Sequence, residues 1–187
     1  MRVLVTGHHG YIGSVLMPLL VEAGHEAVGL DSDLFESCTL GAAPDESRWR
    51  SLRKDLRDVE ARDLEGFDAI VHLAALSNDP LGDLDPDLTY DVNLEGSLRL
   101  ARHARAAGVG RFLFSSSCSN YGAAGDDLLD ERSELQPLTP YAISKVRLEE
   151  ELSDLASDSF SPVFLRNATA YGVSPRLRVD IVLNNLV

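Results

Sequence analysis

Two residues late in the chain have the types and the spacing of an acid–base pair. Tyr141 and Lys145 stand four positions apart in the run YAISK, and positions i and i+4 share one face of a helix. A nearby ammonium stabilises a phenolate and so lowers the pKa of a tyrosine from its usual value near ~10. Tyr141 could then act as a general base near neutral pH. The same spacing also occurs on ordinary amphipathic helices with a surface lysine.

A run of hydroxyl side chains precedes this pair. The segment FSSSCSNYG, residues 114–122, follows an apolar stretch that is typical of a strand. A serine at the end of that strand would face the tyrosine and could hold a substrate oxygen. A polar exit from a strand into a loop is the alternative interpretation of the run.

The N-terminus carries a second kind of chemistry, the binding of an anion. An apolar strand runs into glycines at positions 7, 10 and 13, and a helical pattern follows. Gly7 allows a tight turn, Gly10 lets the backbone approach a phosphate and Gly13 lets the helix pack closely on the sheet. The helix N-terminus then directs N–H groups and a positive dipole end at a pyrophosphate. The spacing is G-x-x-G-x-x-G, because His8 occupies the place of the second glycine in the usual fingerprint, and an ordinary strand-to-helix turn is the alternative.

An acidic residue after the second apolar run indicates which dinucleotide the turn binds. Asp31 lies eighteen residues past Gly13. Its carboxylate could accept hydrogen bonds from a ribose 2′-hydroxyl and would repel a 2′-phosphate, which favours NAD over NADP. The positive charge of an oxidised nicotinamide would then add to the effect of Lys145 on the pKa of Tyr141.

The elements that must position these residues alternate between strand and helix. Crossover helices between strands imply a parallel sheet, and six strands predict a doubly wound α/β fold of the Rossmann type with strand order 3-2-1-4-5-6. Pro18 should kink or break the first helix, and Gly24 and Gly108 should end helices. The predicted strands are 2–6, 26–30, 50–54, 68–73, 111–115 and 163–166, and the predicted helices are 11–23, 58–64, 86–107 and 139–158.

Composition excludes several classes of protein. The 187 residues include 44% apolar residues and carry a net charge of −13, which is typical of a globular chain and argues against a nucleic-acid partner. No apolar stretch approaches the ~20 residues that span a bilayer, and we expect neither a signal peptide nor a membrane partner.

Cysteines and histidines give no sign of a metal site. Cys38 and Cys118 are the two cysteines and lack metal-like spacing, which indicates a reducing, cytoplasmic location. His8 and His9 are adjacent, so their side chains should diverge on a turn. We therefore interpret them as loop residues and predict that no metal is bound.

Taken together, these motifs resemble the extended short-chain dehydrogenase/reductase family, in particular its nucleotide-sugar epimerases and dehydratases. The resemblance spans nearly the whole chain. Its elements are T-G-x-x-G-x-I-G at Thr6–Gly13, the acid at Asp31, an Asp-hydrophobic pair at Asp55 and Leu56, H-x-A-A at His72–Ala75, N-x-x-G-[ST] at Asn93–Ser97, the serine run ending at Tyr121 and Gly122, and Y-x-x-x-K at Tyr141 and Lys145.

The resemblance implies roles for particular residues. Tyr141 is the base, Lys145 holds the nicotinamide ribose and tunes Tyr141, and Ser117 positions the sugar hydroxyl. The implied cofactor-binding residues are Gly7, Gly10, Tyr11, Ile12, Gly13, Asp31, Asp55, Leu56, Leu73, Ala74, Ala75, Asn93 and Ser115, together with Tyr141 and Lys145. The candidate substrate contacts are Ser77, Asn78, Ser117, Cys118, Ser119 and Thr169.

The implied reaction is oxidation of a sugar hydroxyl by hydride transfer to NAD, followed by re-reduction on the other face. The 4,6-dehydratases of the family carry Asp-Glu after the catalytic Ser/Thr, and its decarboxylases place Glu where Ser119 stands. Here the pair is Cys118-Ser119, which disfavours both subclasses and favours a nucleotide-sugar epimerase. A keto-sugar reductase and a non-catalytic NAD-binding module are the alternatives.

The resemblance also sets expectations about the whole protein. Family members have some 300 or more residues, so we expect residues 1–172 to form the NAD-binding domain and 173–187 to begin a truncated substrate-binding region. Most of the C-terminal substrate lobe would then be missing, and a fragment of this kind can bind NAD and yet turn nothing over. We expect a homodimer in the full-length form.

Two departures from the family's pattern stand near the substrate side. Thr169 takes the place of the family's Asn before Tyr171-Gly172, and Asn120 replaces a typical Val before Tyr121. The sequence offers no firm physical account of Asn120 beyond a loop amide that bonds to local backbone.

Overall fold

The computed structural model describes residues 1–38, 45–77, 79–123, 128–176 and 178. Within them, six parallel strands form one sheet in the order β3-β2-β1-β4-β5-β6, so the predicted fold class and strand order are confirmed. The strands are β1 Arg2–Thr6, β2 Glu26–Asp31, β3 Arg50–Arg53, β4 Ala69–His72, β5 Arg111–Ser117 and β6 Ser161–Asn167.

The helices connect these strands across both faces of the sheet. They are α1 Gly13–Glu22, α2 Asp79–Leu84, α3 Pro86–Tyr90, α4 Ser97–Ala106 and α5 Pro140–Asp154, with short 3₁₀ turns at Glu46–Arg48, Leu56–Asp58, Ala61–Leu64 and Cys118–Tyr121. The helix predicted over 58–64 is thus replaced by two 3₁₀ turns. The short helix α2 has no counterpart in the prediction.

The first helix differs from its prediction at one point. It runs unbroken from Gly13 to Glu22 with Pro18 inside it, so the expected break does not occur. Its end is as expected, because Gly24 adopts a positive φ of 82° and its N–H donates to the carbonyl of Val21.

The long helix predicted over 86–107 contains a π-helical segment. Asp91–Gly96 widens the helix between α3 and α4, and Gly108 ends it with a φ of 82°. A π segment turns nearby side chains out of the α-helical register and is common at functional sites. Here it carries Asn93.

The last helix begins as predicted and ends early. Pro140 occupies its first turn, and the hydroxyl of Thr139 accepts a hydrogen bond from the N–H of Ala142 at 3.2 Å. The helix ends at Asp154 rather than 158, because Ser157 and Phe160 form an antiparallel bridge that turns the chain into β6.

The sheet is packed on both sides. Strand residues such as Leu4 and Ile70 belong to a large buried cluster together with residues of α4 and α5, whereas Val3 and Val5 pack with Met17 of α1 on the opposite face. Alternate residues of each strand point to opposite faces, which explains the near-continuous apolar character of β1. Across the described ranges, no helix combines the length and the apolar character needed to cross a membrane.

Candidate active site

The candidate residues gather where the parallel strands end. Thr6 of β1 pairs in register with His72 of β4, and His72 pairs with Phe114 of β5. The chain continues from β1 to β2 and β3 on one side of β1, and β4 to β6 lie on the other side. This is the topological switch point at which open α/β sheets bind their ligands.

The glycine turn follows β1, and its fit depends on missing side chains. Gly7 has a φ of 73°, and a Cβ atom there would lie 2.7 Å from the backbone nitrogen of Ala74. A Cβ atom on Gly13 would overlap the carbonyl oxygen of Gly7 and the backbone of His8. Gly7 therefore has the predicted role, whereas Gly13 lets the helix pack against the turn itself rather than against the sheet.

The middle of the turn is open to a ligand through its backbone. Gly10 is exposed and donates its N–H to the carbonyl of Gly7 at 3.0 Å. The side chains of Tyr11 and Ile12 line an apolar groove of about 270 Å³ between α1 and residues 170–174, and the Tyr11 hydroxyl donates to the carbonyl of Gly172. Any contact of these two residues with a phosphate would therefore be made by their N–H groups, which come directly before the first turn of α1.

His8 is a structural part of the turn. It is buried, at 1% exposure, and its imidazole lies so close to Gly29 of β2 that a Cβ atom there would overlap the ring. Its Nε2 forms a 3.0 Å hydrogen bond with the hydroxyl of Ser51 on β3. His8 thus lies in the loop between β1 and α1 as predicted, and its ring additionally ties the turn to two strands.

His9 and Asp31 lie side by side at the end of β2. The Asp31 carboxylate accepts hydrogen bonds from the N–H groups of His9 and Asp33, both at 3.0 Å, and His9 Nδ1 lies 2.5 Å from Asp33 Oδ1. The carboxylate of Asp31 thus stands beside the glycine turn, where a ribose hydroxyl was predicted.

The two histidine rings do not diverge as expected. Their centroids are 3.8 Å apart, because His8 is held under β2 while His9 is bonded to Asp33. Ligand atoms of His8, His9 and Asp31 lie within 4.8 Å of one another. The absence of a bound metal at this loop stays a prediction.

The Asp55-Leu56 pair lies past β3. The Asp55 carboxylate accepts hydrogen bonds from the backbone and the guanidinium of Arg57, and these bonds lower the pKa of Asp55 below its usual value. Leu56 is buried against Gly96. Asp55 is thus engaged by Arg57 in this structure, and its contact with an adenine stays a prediction.

His72 connects the two central strands beneath the turn. Its Nδ1 lies 2.7 Å from the hydroxyl of Thr6 and its Nε2 lies 2.8 Å from the hydroxyl of Ser97. Burial, and secondarily the charge of Lys145, lowers the pKa of His72 to about 3. The ring is therefore neutral and structural. The next residues, Leu73 to Ala75, pass directly beside Gly7, since the N–H of Ala74 donates to the Thr6 hydroxyl at 3.4 Å.

Asn93 holds the loop that follows β4. Its amide accepts from the N–H of Leu76 at 2.8 Å and donates to the carbonyl of Leu76 at 2.9 Å. Both ends of the amide serve the loop, which makes Asn93 a positioning residue in this structure. Ser77 is bonded to the guanidinium of Arg178 at 2.9 Å, and Asn78 lies outside the described residues.

Lys145 is buried beside Tyr141. Only 3% of the lysine is exposed, and its ammonium donates to the carbonyl of Ser115 at 2.8 Å. Its Nζ lies 4.5 Å from the ring centroid of Phe114 and 5.3 Å from that of Tyr141. Desolvation lowers the pKa of Lys145 to about 7, and the charge of Glu149 opposes that shift.

Ser117 ends β5 with its oxygen accepting two hydrogen bonds. They come from the N–H of Ser119 at 3.1 Å and from the hydroxyl of Ser119 at 2.8 Å, so the Ser117 proton is available for a substrate oxygen. Cys118 is exposed. The Ser115 hydroxyl accepts from Asn167 at 3.1 Å, and Thr169 is exposed just past β6.

Sequence reasoning missed the group of side chains behind this strand. Glu149 is buried and accepts hydrogen bonds from Ser116, Asn120 and Arg166. A signal was present, because Glu149 stands four residues after Lys145 and therefore on the same face of α5. Arg166 interrupts the apolar strand β6, which is a second signal that a buried carboxylate was needed.

Comparisons with known proteins agree with this geometry. The sequence model of a family described as "NAD dependent epimerase/dehydratase family" matches residues 3–187. The UDP-glucose 4-epimerase of Streptomyces lividans is 33% identical over 161 residues, which cover 83% of this chain and 48% of that protein. The UDP-glucose 4-epimerase 4 of Oryza sativa subsp. japonica is 35% identical over 189 residues, which cover 92% of this chain and 50% of that protein.

Solved structures match over the whole described sheet. The NAD-dependent NDP-hexosamine 5,6-dehydratase TunA superposes with a TM-score of 0.88 at 30% identity and covers 99% of this chain. MoeE5, solved with UDP-glucuronic acid and NAD, superposes with a TM-score of 0.85 at 32% identity and covers all of it. This chain covers 59% and 60% of those two chains, and it spans about half the length of the curated relatives.

Proposed function

The chain belongs to the NAD dependent epimerase/dehydratase family, and on that premise we propose that it is an NAD-dependent nucleotide-sugar epimerase. The main observation in support of a catalytic role is the position of Lys145. The ammonium of Lys145 is buried beside the Tyr141 ring and bonded to Ser115. Burying an ammonium is costly, and a module that only stores a dinucleotide has no need for a charged group beside a phenol.

The residues present fit NAD as the cofactor. Gly7 and Gly13 leave the space that a Cβ atom would fill, and the exposed turn at Gly10 leads into the N-terminus of α1. Asp31 stands at the end of β2 beside this turn. We assign the pyrophosphate to the glycine turn and the adenosine ribose to Asp31. When bound, NAD supplies the hydride acceptor.

The side chains of β5 and α5 would handle the proton. Tyr141 takes the proton of a sugar hydroxyl, while the hydroxyl of Ser117 donates to the same oxygen and holds it in place. The charged form of Lys145 stabilises the Tyr141 phenolate. In the reverse step Tyr141 returns the proton to the sugar oxygen, and the inverted alcohol is released.

The residues after Ser117 support epimerisation over elimination. Cys118 and Ser119 form the start of a 3₁₀ turn and carry no carboxylate, whereas elimination of water requires an additional acid and base. The fold alone does not favour epimerisation, since two dehydratases superpose on this chain with TM-scores of 0.88 and 0.87 and an epimerase with 0.80. The keto-sugar reductase remains the alternative within the family.

The substrate class follows from the relatives. UDP-glucose 4-epimerases are 33% and 35% identical to this chain, so we take UDP-glucose as the first substrate to test and carbon 4 as the carbon inverted. We assign residues 1–172 to the NAD-binding domain and 173–187 to the start of the substrate-binding region. The bond from Arg178 to Ser77 supports that assignment. The homodimer, the cytoplasmic location and the absence of a nucleic-acid partner stay predictions.

Two measurements test the proposal. NAD should raise the melting temperature of this chain more than NADP at equal concentration, and the full-length form with NAD should convert UDP-glucose to its 4-epimer, as followed by proton NMR. Stabilisation of the full-length form by NAD without conversion would overturn the enzyme and favour the NAD-binding module. Equal stabilisation by NAD and NADP would overturn the role of Asp31.

A further inference from the structure

A buried polar network lies behind β5, on the side away from the hydroxyls of Ser115 and Ser117. At its centre the Glu149 carboxylate is 5% exposed. It accepts from the hydroxyl of Ser116 at 2.5 Å and from the amide of Asn120 at 2.9 Å. The guanidinium of Arg166 binds both carboxylate oxygens, at 2.7 to 3.2 Å.

The same guanidinium extends the network to the turn beyond β5. Arg166 donates to the hydroxyl of Tyr121 at 3.0 Å and to the carbonyl of Glu131 at 3.1 Å. The amide of Asn120 also donates to Ser116 at 3.0 Å. Asn120, which the sequence left without an account, is therefore a buried member of this network at 0% exposure.

The network lies next to the candidate catalytic residues along both α5 and β5. Glu149 stands one helical turn after Lys145 on the same face of α5. It binds Ser116, which lies between Ser115, the acceptor of the Lys145 ammonium, and Ser117, the candidate substrate contact. A single carboxylate thus fixes the helix that carries the base against the strand that carries the other two groups.

We propose that Glu149 is a positioning residue whose carboxylate, held by Arg166, supplies the negative charge that faces the Lys145 ammonium. The inference rests on the proposed function for the meaning of Lys145, but its test does not. Without this charge the buried ammonium would lose its proton more easily, since desolvation already favours the neutral amine. The pKa of Lys145 reflects both effects, with burial lowering it and Glu149 opposing the change.

Among the side chains that the structure describes, no other buried one near Lys145 supplies an equivalent charge. His72 on β4 is neutral because burial lowers its pKa to about 3. Tyr141, on the same helix, contributes a phenol, and Arg166 of β6 contributes a positive charge. The buried polar residues of α3, the π segment and α4 carry no charge. They are Thr89, Asn93 and Ser97.

The sequence offers a clean way to measure this effect. The chain has two lysines, Lys54 and Lys145, so protein labelled with ¹³C-lysine gives two sets of signals. Replacement of Lys54 by arginine assigns them. Titration of the Cε chemical shift with pH then reports the charge of Lys145 directly, with Lys54 as an internal reference that needs neither cofactor nor substrate.

The decisive variant is Glu149→Gln, which keeps the shape of the side chain and removes its charge. We expect the titration midpoint of Lys145 to move to lower pH while that of Lys54 stays. Glu150→Gln is the matched control, because Glu150 is the exposed neighbour on the same helix and its loss should leave both midpoints unchanged. If Glu149 had only a structural role, its replacement would loosen the packing and admit water to Lys145. The titration midpoint of Lys145 would then rise toward the ordinary value of a lysine.

A second variant covers the case in which Glu149→Gln leaves Arg166 uncompensated and does not fold. Replacing a buried ion pair together is often tolerated where breaking it is not, so Glu149→Gln with Arg166→Met removes both charges at once. We again expect the Lys145 midpoint to fall, because Glu149 is the charge that acts on Lys145. An unchanged or raised midpoint in whichever variant folds would overturn the proposal, whether or not the protein turns over a sugar.

Discussion

The two halves of the sheet form the candidate site by opposite means. On the β1–β3 side the fit depends on side chains that are missing, at Gly7, Gly13 and Gly29. On the β4–β6 side it depends on polar side chains that are buried, at Lys145 and Glu149. In the first half, the absence of side chains lets the backbone approach a ligand closely. In the second half, buried charges set how readily a proton is taken up or released.

This difference has a physical consequence. Steric overlap does not depend on pH, so an added methyl group should disable the first half under all conditions. Charge in a buried site does depend on pH, so the second half should respond to acid and base even when its shape is intact. Variants in the two halves should therefore fail in distinguishable ways.

The largest expected effect lies in the second half and leaves the first intact. Tyr141→Phe removes the proposed base, and we expect turnover of UDP-glucose by the full-length form to fall by about 10²- to 10⁴-fold. The thermal shift produced by NAD should be retained. Tyr171→Phe is the control, because Tyr171 is 69% exposed beyond β6. Undiminished turnover in Tyr141→Phe would show that another group is the base.

The next effect breaks the first half. Gly13→Ala places a methyl group on the backbone of Gly7 and His8, and we expect a loss of about 2–3 kcal/mol of stability together with NAD binding. Gly110→Ala is the matched control, because its Cβ atom would lie 3.7 Å from the nearest atom, the carbonyl oxygen of Asp68. Chemical denaturation at two pH values should give the same loss for Gly13→Ala, and a pH-dependent loss would contradict the steric account.

A smaller effect separates the halves by their response to pH. The folded pKa of Lys145, about 7, lies below its unfolded value, so the unfolded chain binds the extra proton between these values and the wild type gains stability as pH rises through that window. Lys145→Met removes the buried charge. We expect it to be more stable than wild type by about 1 kcal/mol at pH 6, with the advantage shrinking toward pH 9.

The surface lysine provides the comparison for that measurement. Lys54 forms a half-exposed ion pair with Asp63, and Lys54→Met should show no such gain at low pH. A Lys145→Met variant that is less stable than wild type at pH 6 would show that the lysine's bond to Ser115 outweighs the cost of burying its charge.

The smallest expected effect concerns how the first half distinguishes NAD from NADP. Asp31→Asn keeps an acceptor for a ribose hydroxyl but removes the charge that repels a 2′-phosphate. We expect the ratio of NAD to NADP affinity to fall by about tenfold, or ~1.4 kcal/mol, as measured by calorimetric titration. Glu22→Gln, at the end of α1, removes an equal charge at a distance and should leave the ratio unchanged.

Sequence patterns were sufficient for the parts of the fold that depend on local chemistry. Strand order followed from alternating apolar runs and helices, and the turn at Gly7 followed from a strand that ends in glycine. The position of Tyr141 and Lys145 on one helical face followed from their spacing, and the structure adds that Lys145 is buried there.

The parts that sequence could not predict depend on contacts between distant segments. His8 fits only because Gly29, on the next strand, has no side chain. Asn120 had no account until Ser116 and Glu149 were placed beside it. The π segment that carries Asn93 likewise depends on packing rather than on the helical propensity of its residues.

An isotope experiment tests the central claim most directly. UDP-glucose carrying deuterium at carbon 4 is incubated with the full-length form and NAD, and the products are analysed by NMR. We predict the 4-epimer with its deuterium retained, because the hydride returns to the carbon that it left, and we predict no product with Tyr141→Phe. Failure to form the epimer, or an epimer whose deuterium has exchanged with water, would contradict the account.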